Sequence, residues 1–322
     1  MTEAGISVVI PVYNDNARLE RCITSLLNGT VKPLEIIVID DGSDFAPIFE
    51  HQLVKIISQP NQGPAAARNK GAKAASSELL YFTDADCWSE KDTLFKLQKF
   101  LSQNPKSPGI AGPYKLNVSK NFISTYSDID LLSRYGNILN NQVFVHGTYS
   151  LLLKKSLFES INGFDISFPR ASGEDFDLVA RYTGKFGGLD YLPELQVNTE
   201  HEARLIKYLK KQYFRGFDRI FFYQKNPPKK IQDYYTSALD PLSGISLFCM
   251  MITPLIPVAI IFPIIDMAFF YKKIQKFSVA YRKISFIEGF KLYLFNLVRF
   301  QFISLGFFMG AATKLLSKKY DK

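Results

Sequence analysis

The segment Leu79-Leu80-Tyr81-Phe82-Thr83-Asp84-Ala85-Asp86 is an apolar run that stops at two aspartates. Four apolar residues in succession predict a strand buried on both faces, because a sheet covered on both sides shows no alternation. Ligands of open α/β sheets collect at the carboxyl ends of the strands, which is where Asp84 and Asp86 fall. Two carboxylates one residue apart at such a crevice suit a hard divalent cation, Mg²⁺ or Mn²⁺, with a substrate diphosphate completing the shell. An isolated Asp-x-Asp is more often a solvated turn. Its surroundings decide between the two.

Upstream, Ile6 to Val12 reads as a strand, and Tyr13-Asn14-Asp15-Asn16 offers helix-capping side chains. Leu19, Ile23, Leu26 and Leu27 then recur at helical spacing, with Gly29 closing the helix. A second strand, Glu35 to Ile39, runs into Asp40-Asp41-Gly42-Ser43; Val54 to Ile57 predicts a third, and Gly63 to Ala75 a helix of small residues. Strands alternating with helices at this spacing predict a mainly parallel, Rossmann-like α/β sheet with flanking helices and right-handed crossovers. Three polar strand ends, Tyr13-Asn14, Asp40-Asp41 and Asp84-Asp86, then share one edge. The Arg68 fork suits base oxygens or phosphate, and strand-end carboxylates can accept from a nucleobase imide or a ribose hydroxyl.

Beyond about residue 115 the pattern loosens. A helix is expected near Asp128 to Leu139, another around Lys155, one over Gly173 to Lys185, and an amphipathic one over Glu202 to Tyr223, ended by Pro227-Pro228. The organisation expected is an α/β half over 1–115, a second half over 116–222, and a membrane-associated helical region over 223–322.

The net charge of +9 invites a nucleic-acid reading, but its distribution opposes one. Nine cations and one anion lie between Arg204 and Lys230, and further clusters flank long apolar runs, which points to an anionic membrane surface. Leu247 to Tyr271 is long enough to cross a bilayer but is interrupted by Pro254, Pro257 and Pro263; Phe286 to Leu316 is a second apolar run containing Glu288, Lys291 and Arg299. Lysines between the runs and after the second conflict with a simple spanning topology under the positive-inside rule, so spanning, re-entrant and interfacial arrangements stay open. The first residues lack the basic and apolar segments of a signal peptide, which places the catalytic part on the cytoplasmic side of a cell membrane as an expectation. Cys22, Cys87 and Cys249 are too few and scattered for a disulfide framework or a zinc site.

Taken together, Ser7-Val8-Val9-Ile10-Pro11-Val12-Tyr13-Asn14, Asp40-Asp41-Gly42-Ser43, Gly63 to Gly71, Asp84-Ala85-Asp86, Asn162-Gly163-Phe164-Asp165 and Gly173-Glu174-Asp175-Phe176-Asp177-Leu178 make the chain resemble the family 2 inverting glycosyltransferases, of the glycosyltransferase-A fold. The resemblance covers about residues 6–222. It implies a nucleotide-sugar donor, a glycan or lipid-linked acceptor, and Mn²⁺ or Mg²⁺, as in polysaccharide biosynthesis. It places Pro11, Tyr13, Asn14, Asp40, Asp41 and Arg68 around the nucleoside, Asp84 at the ribose or metal, and Asp86 on the metal. It also makes Asp175 the base, with Glu174 assisting, and puts His201 near the metal and diphosphate. Gly147-Thr148-Tyr149-Ser150 and Lys154-Lys155 depart from the family pattern, so the sugar is not carried over. Two other readings are a nucleotidyltransferase, which would need a phosphate-cradling lysine motif that Pro11 to Asn16 does not offer, and a non-catalytic nucleotide-sugar-binding membrane scaffold.

Overall fold

A computed structural model describes residues 5–116, 121–135, 138, 140–168, 173–200, 202–225, 258–281 and 283–320. Strand β1 (Ile6–Val12) is flanked by β2 (Glu35–Asp40) and β4 (Leu79–Phe82), both parallel to it, and β3 (Val54–Ser58) extends the parallel set beyond β2. Ile6, Val8, Val9 and Ile10 are all buried, as are Leu79 to Phe82, so the unbroken apolar runs reflect a sheet covered on both faces. Each such side chain contributes about 1.5–3 kcal/mol by leaving water.

On the far side of β4 the direction changes. Strand β8 (Leu151–Lys154) pairs antiparallel with β4 and with β6 (Gly109–Ala111). Next come β9 (Leu189–Tyr191), parallel to β6, and the edge strand β7 (Gln142–Val143), antiparallel to β9. The order is β3-β2-β1-β4-β8-β6-β9-β7, a mostly parallel half joined to a mixed one. A separate ribbon pairs β5 (Cys87–Ser89) with β10 (Val197–Thr199), setting Thr199 opposite Cys87.

Helix α1 (Asn16–Leu27) buries Leu19, Cys22, Ile23 and Leu26, and ends in Asn28 followed by the expected Gly29, whose amide donates to the Leu26 carbonyl. Asp15 is the residue before it, but its carboxylate pairs with Arg18 rather than capping the helix. Helix α2 (Pro64–Ala74) lies close to the sheet because its facing residues are small: a Cβ on Gly71 would fall 2.4 Å from Val9 Cγ1. Helix α3 (Thr93–Gln103), which the periodicity did not single out, covers the same core with Leu94 and Leu97. Helices α4 (Phe122–Tyr135), α5 (Lys155–Glu159) and α6 (Glu174–Phe186) follow, then α7 (Leu205–Lys225), α8 (Val258–Ala280) and α9 (Phe286–Tyr320).

Contacts divide the chain into two units, one of 1–115, 138–200 and 226–232, the other of 116–137, 201–225 and 233–322. In this partition 138–200 falls in the first unit, and α4, α7, α8 and α9 gather in the second. The physical reason is that β7, β8 and β9 complete the sheet begun by β1, whereas Tyr126 and Ile129 of α4 bury against Tyr208, Phe270 and Phe295. Pro227-Pro228, His201 and the first half of the Leu247 to Tyr271 run lie outside the described residues. Among the described residues, the helix long and apolar enough to cross a membrane is the second run, over Phe286–Thr313.

Candidate active site

Asp84 and Asp86 follow β4 directly, where the chain leaves the sheet. With Cys87 they bring potential ligand atoms within 4.8 Å of one another. Cys87 is buried, and burial holds its thiol well above the ordinary value, so the neutral sulfur is a neighbour more than a ligand. The two partly exposed carboxylates supply the hard oxygen donors that Mg²⁺ or Mn²⁺ prefers, and the donor set fits such an ion. Arg18 reaches Asp86 from α1, with Nη1 3.6 Å from Oδ2. Its partner is 68 positions away in sequence, and no local pattern announces the contact.

Arg68 is buried, and both ends of its fork are committed. Nη2 donates to Asp84 Oδ1 at 2.7 Å and Nη1 to Glu174 Oε1 at 3.0 Å. Burial works against its charge, but Asp84 and Glu174 outweigh that and raise its pKa above the ordinary value. A bidentate, two-carboxylate geometry of this kind demands arginine over lysine. The guanidinium suggested for the nucleoside is therefore engaged with the end of β4 and the start of α6.

The α2 segment is locked in turn to the segment that follows α5. Asn69 Nδ2 donates to the Phe164 carbonyl and Asn69 Oδ1 accepts from the Phe164 amide, both at 2.8 Å. The turn before Phe164 needs Asn162 at φ 62° and Gly163 at φ 60°, and a Cβ on Gly163 would sit 2.5 Å from Asn69 Oδ1. Two motifs almost 100 positions apart in sequence thus become one wall.

Glu174 and Asp175 open α6 behind Gly173, where the helix N-terminus favours negative charge. Glu174 is buried, and burial raises its pKa against the pull of Arg68; its Oε2 has no hydrogen-bond partner. Asp175 keeps some solvent contact, yet its carboxyl is closely enclosed. Burial, followed by the charge of Glu174, pushes it up to about 7, with Arg68 and the Phe176 amide opposing. A carboxyl poised near neutrality beside a metal-type site is suited to proton transfer.

The space above Asp175 is bounded by the Gly147 loop. A Cβ on Gly147 would lie 2.8 Å from the Tyr149 ring and 3.3 Å from Asp175 Oδ2. Tyr149 stacks on Tyr114 at 3.6 Å, and its hydroxyl donates to His146 Nε2 at 3.1 Å while Nδ1–H donates to the Gly147 carbonyl. Burial lowers the His146 pKa to about 4, so the ring is neutral and structural. Sequence reasoning singled out Gly147 to Ser150 only as a departure from the family pattern and did not reach His146, because a lone histidine carries no pattern.

The other strand ends carry a second polar cluster. Asp41 accepts from Gln59 Nε2 and the Gln62 amide on Oδ1 and from the Gly63 amide on Oδ2, at 2.7–2.9 Å. Oδ1 is saturated, and one lone pair of Oδ2 is left. Asp40 is buried and holds the Ser43 amide and the Ser58 hydroxyl. Asn14, at φ 52°, clasps Ser43 and Asp44, while Tyr13 is 51% exposed beside it and Pro11 is half-buried. Gly42 has φ 78°, and a Cβ there would meet the Asn61 amide at 2.7 Å, so the loop 59–63 that holds Asp41 depends on glycine.

Residues 7–160 match the family model described as glycosyl transferase family 2. Glycosyltransferase GlyA of Streptococcus pneumoniae is 30% identical over 186 residues, covering 52% of this chain and 26% of its own. The pre-mycofactocin glycosyltransferase of Mycobacterium tuberculosis is 28% identical over 237 residues, covering 70% of this chain and 48% of its own. The chain therefore spans between about a quarter and a half of the length of these relatives. Among solved structures, GalNAc-T7 with UDP, GalNAc and Mn²⁺ aligns over 72% of this chain and 52% of its own, at a TM-score of 0.50 and 16% identity. That likeness bears on the fold, which is of the glycosyltransferase-A type.

Proposed function

We propose, from the premise that residues 7–160 belong to glycosyl transferase family 2, that this protein is an inverting, metal-dependent glycosyltransferase. The donor is a nucleotide sugar and the acceptor a glycan or lipid-linked hydroxyl presented at an anionic membrane, with the catalytic unit on its cytoplasmic side. The observation that carries the chemistry is the chain Asp84–Arg68–Glu174, which ties the strand-end carboxylates to the helix bearing Asp175.

Asp86, with the second oxygen of Asp84, would hold Mn²⁺ or Mg²⁺, and His201 is a further ligand proposed from the resemblance alone. A bound cation supplies charge neutralisation for the leaving diphosphate. Asp175 takes the proton of the acceptor hydroxyl as its oxygen attacks the anomeric carbon, and the bond to the diphosphate breaks on the opposite face. Glu174 holds Arg68 and keeps the Asp175 carboxyl basic through its charge. Tyr13, Asn14 and the remaining lone pair of Asp41 border the nucleoside, with Pro11 and Asp40 shaping that edge. Arg68 acts by fixing Asp84 and Glu174, each held by one of its two terminal nitrogens.

Release of nucleoside diphosphate from a panel of nucleotide sugars, with Mn²⁺ and with chelator, tests this reading. Turnover of at least one donor with metal and none in chelator is expected; full turnover in chelator refutes the metal role, and nucleotide transfer to a phosphate would favour the nucleotidyltransferase reading.

A further inference from the structure

Helices α7 and α9 pack backbone to backbone. A Cβ on Gly216 would lie 1.9 Å from the Ile303 carbonyl oxygen, one on Gly306 1.9 Å from that of Tyr213, and one on Gly310 2.5 Å from that of Phe217. Gly306 and Gly310 are spaced as a small-xxx-small pair, the arrangement that lets helices approach this closely. Successive contacts keep one register: Tyr208 meets Phe295, Gln212 Oε1 accepts from Arg299 Nε at 3.2 Å, and Gly216 meets Ile303. The helices therefore run parallel, side by side.

Their outer surfaces differ sharply. Along α9, Ile287, Phe290, Leu294, Val298, Leu305 and Phe308 are 44–67% exposed and recur at helical spacing. The stripe is about 30 Å long. From Leu292 to Thr313 the single charge is Arg299, which is buried and bonded to Gln212, Tyr126 and Asp130. Glu288 and Lys291 stand at the N-terminal end of the stripe, and the remainder, from Leu294 to Phe308, runs about 21 Å without an exposed charge; backed by a helix seam whose one cation is sealed inside, it is matched to acyl chains. A protein partner would ordinarily meet it with a polar rim.

A spanning helix is the obvious use of such a stripe, but α7 opposes it. Lys207, Lys210, Lys211 and Arg215 are exposed on α7. In the shared register they sit level with Leu294 to Phe302, the middle of the stripe. Crossing the bilayer would carry four cations into mid-hydrocarbon, where they are strongly disfavoured.

We propose that the α7–α9 pair is a monotopic membrane paddle: α9 lies flat in one leaflet of a phospholipid bilayer, its apolar stripe on the acyl chains, with the α7 cations kept at the aqueous side. This rests on the membrane attachment proposed above and is independent of the transfer chemistry. It also assigns the attachment to the second apolar run.

The test is a depth profile on the full chain bound to vesicles of phosphatidylcholine and phosphatidylglycerol. Phe290→Trp, Val298→Trp and Phe308→Trp are each measured for quenching by lipids brominated at shallow and deep positions, as the excess over the parent chain with its single tryptophan. The same shallow depth at all three positions is expected. Deep quenching at 298 with shallow quenching at 290 and 308 would establish a spanning helix and overturn the proposal. Absence of quenching together with sedimentation as a dimer would assign the stripe to a second copy and overturn it equally. In parallel, Leu294→Glu with Leu305→Glu should lower vesicle partitioning at least 10-fold while nucleotide release is retained. Vesicle flotation of the parent tests attachment itself, so its failure is distinguishable from a failure of the flat orientation.

Discussion

Replacing Asp175 by asparagine should make the protein more stable and much less active, with a gain in stability that depends on pH. Asn keeps the volume and the carbonyl that accepts the Phe176 amide, but it carries no charge to bury. The folded carboxyl titrates near 7 against an ordinary 3.8, raised first by burial and then by Glu174. A folded value above the unfolded one means that stability is full below about pH 4 and is lost as the pH rises towards 7. That interval corresponds to about 4 kcal/mol at pH 8. Glu174 is raised for the same reason and shares the cost, so a gain of about 2 kcal/mol is expected for Asp175→Asn at pH 8, and less than about 1 kcal/mol at pH 4.5. In a unit of this size that is a rise in Tm of about 4–8 °C at pH 8. Thermal melts of metal-free parent and variant at the two pH values measure it, beside a transfer assay in which the variant should lose about 10²-fold or more. A variant less stable than the parent at pH 8, or a gain equal at both pH values, would refute the buried-charge account; collapse of donor affinity together with rate would make Asp175 a binding residue.

Asp86→Ala should be inactive even in excess Mn²⁺ yet keep the parent's melting temperature, because its carboxylate is partly exposed and its contact with Arg18 is long; calorimetric Mn²⁺ titration is the check, and unaltered Mn²⁺ affinity would move the site elsewhere. Gly42→Ala forces a side chain into a left-handed turn and onto the Asn61 amide, so it should cost about 1–3 kcal/mol and weaken nucleotide binding through the 59–63 loop, as read by chemical denaturation and nucleotide titration. Gly306→Leu should open the α7–α9 seam, since backbone atoms cannot yield to a Cβ placed 1.9 Å away; hydrogen exchange should accelerate in both helices while strands β1, β2 and β4 stay protected, and unchanged exchange in α7 would show that the seam does not hold the pair.

The parallel half of the sheet and the polar ends of its strands were legible in the chain alone. Buried strands must be continuous apolar runs, and Leu79 to Phe82 or Ile6 to Val12 admit few other readings; Asp84, Asp86 and the Asp40-Asp41 turn then follow from where those runs stop. Helices α1, α2 and α6 were readable for the same kind of reason, through spacing, small residues and an acidic first turn. Other features depended on three-dimensional closure. The antiparallel return of β8 next to β4 places the Gly147 loop over Asp175, and no local propensity encodes which strand a later segment will join. The double commitment of Arg68 is invisible in sequence because Asp84 and Glu174 lie 16 and 106 positions from it. So is the near-neutral carboxyl of Asp175, which arises from enclosure and a neighbouring charge. The C-terminal helices make the same point. Composition announced their apolarity, but only the register between Gly216 and Ile303 shows which face is spent on packing and which is left outward, since a helix has one sequence and its neighbours decide which side meets solvent or lipid.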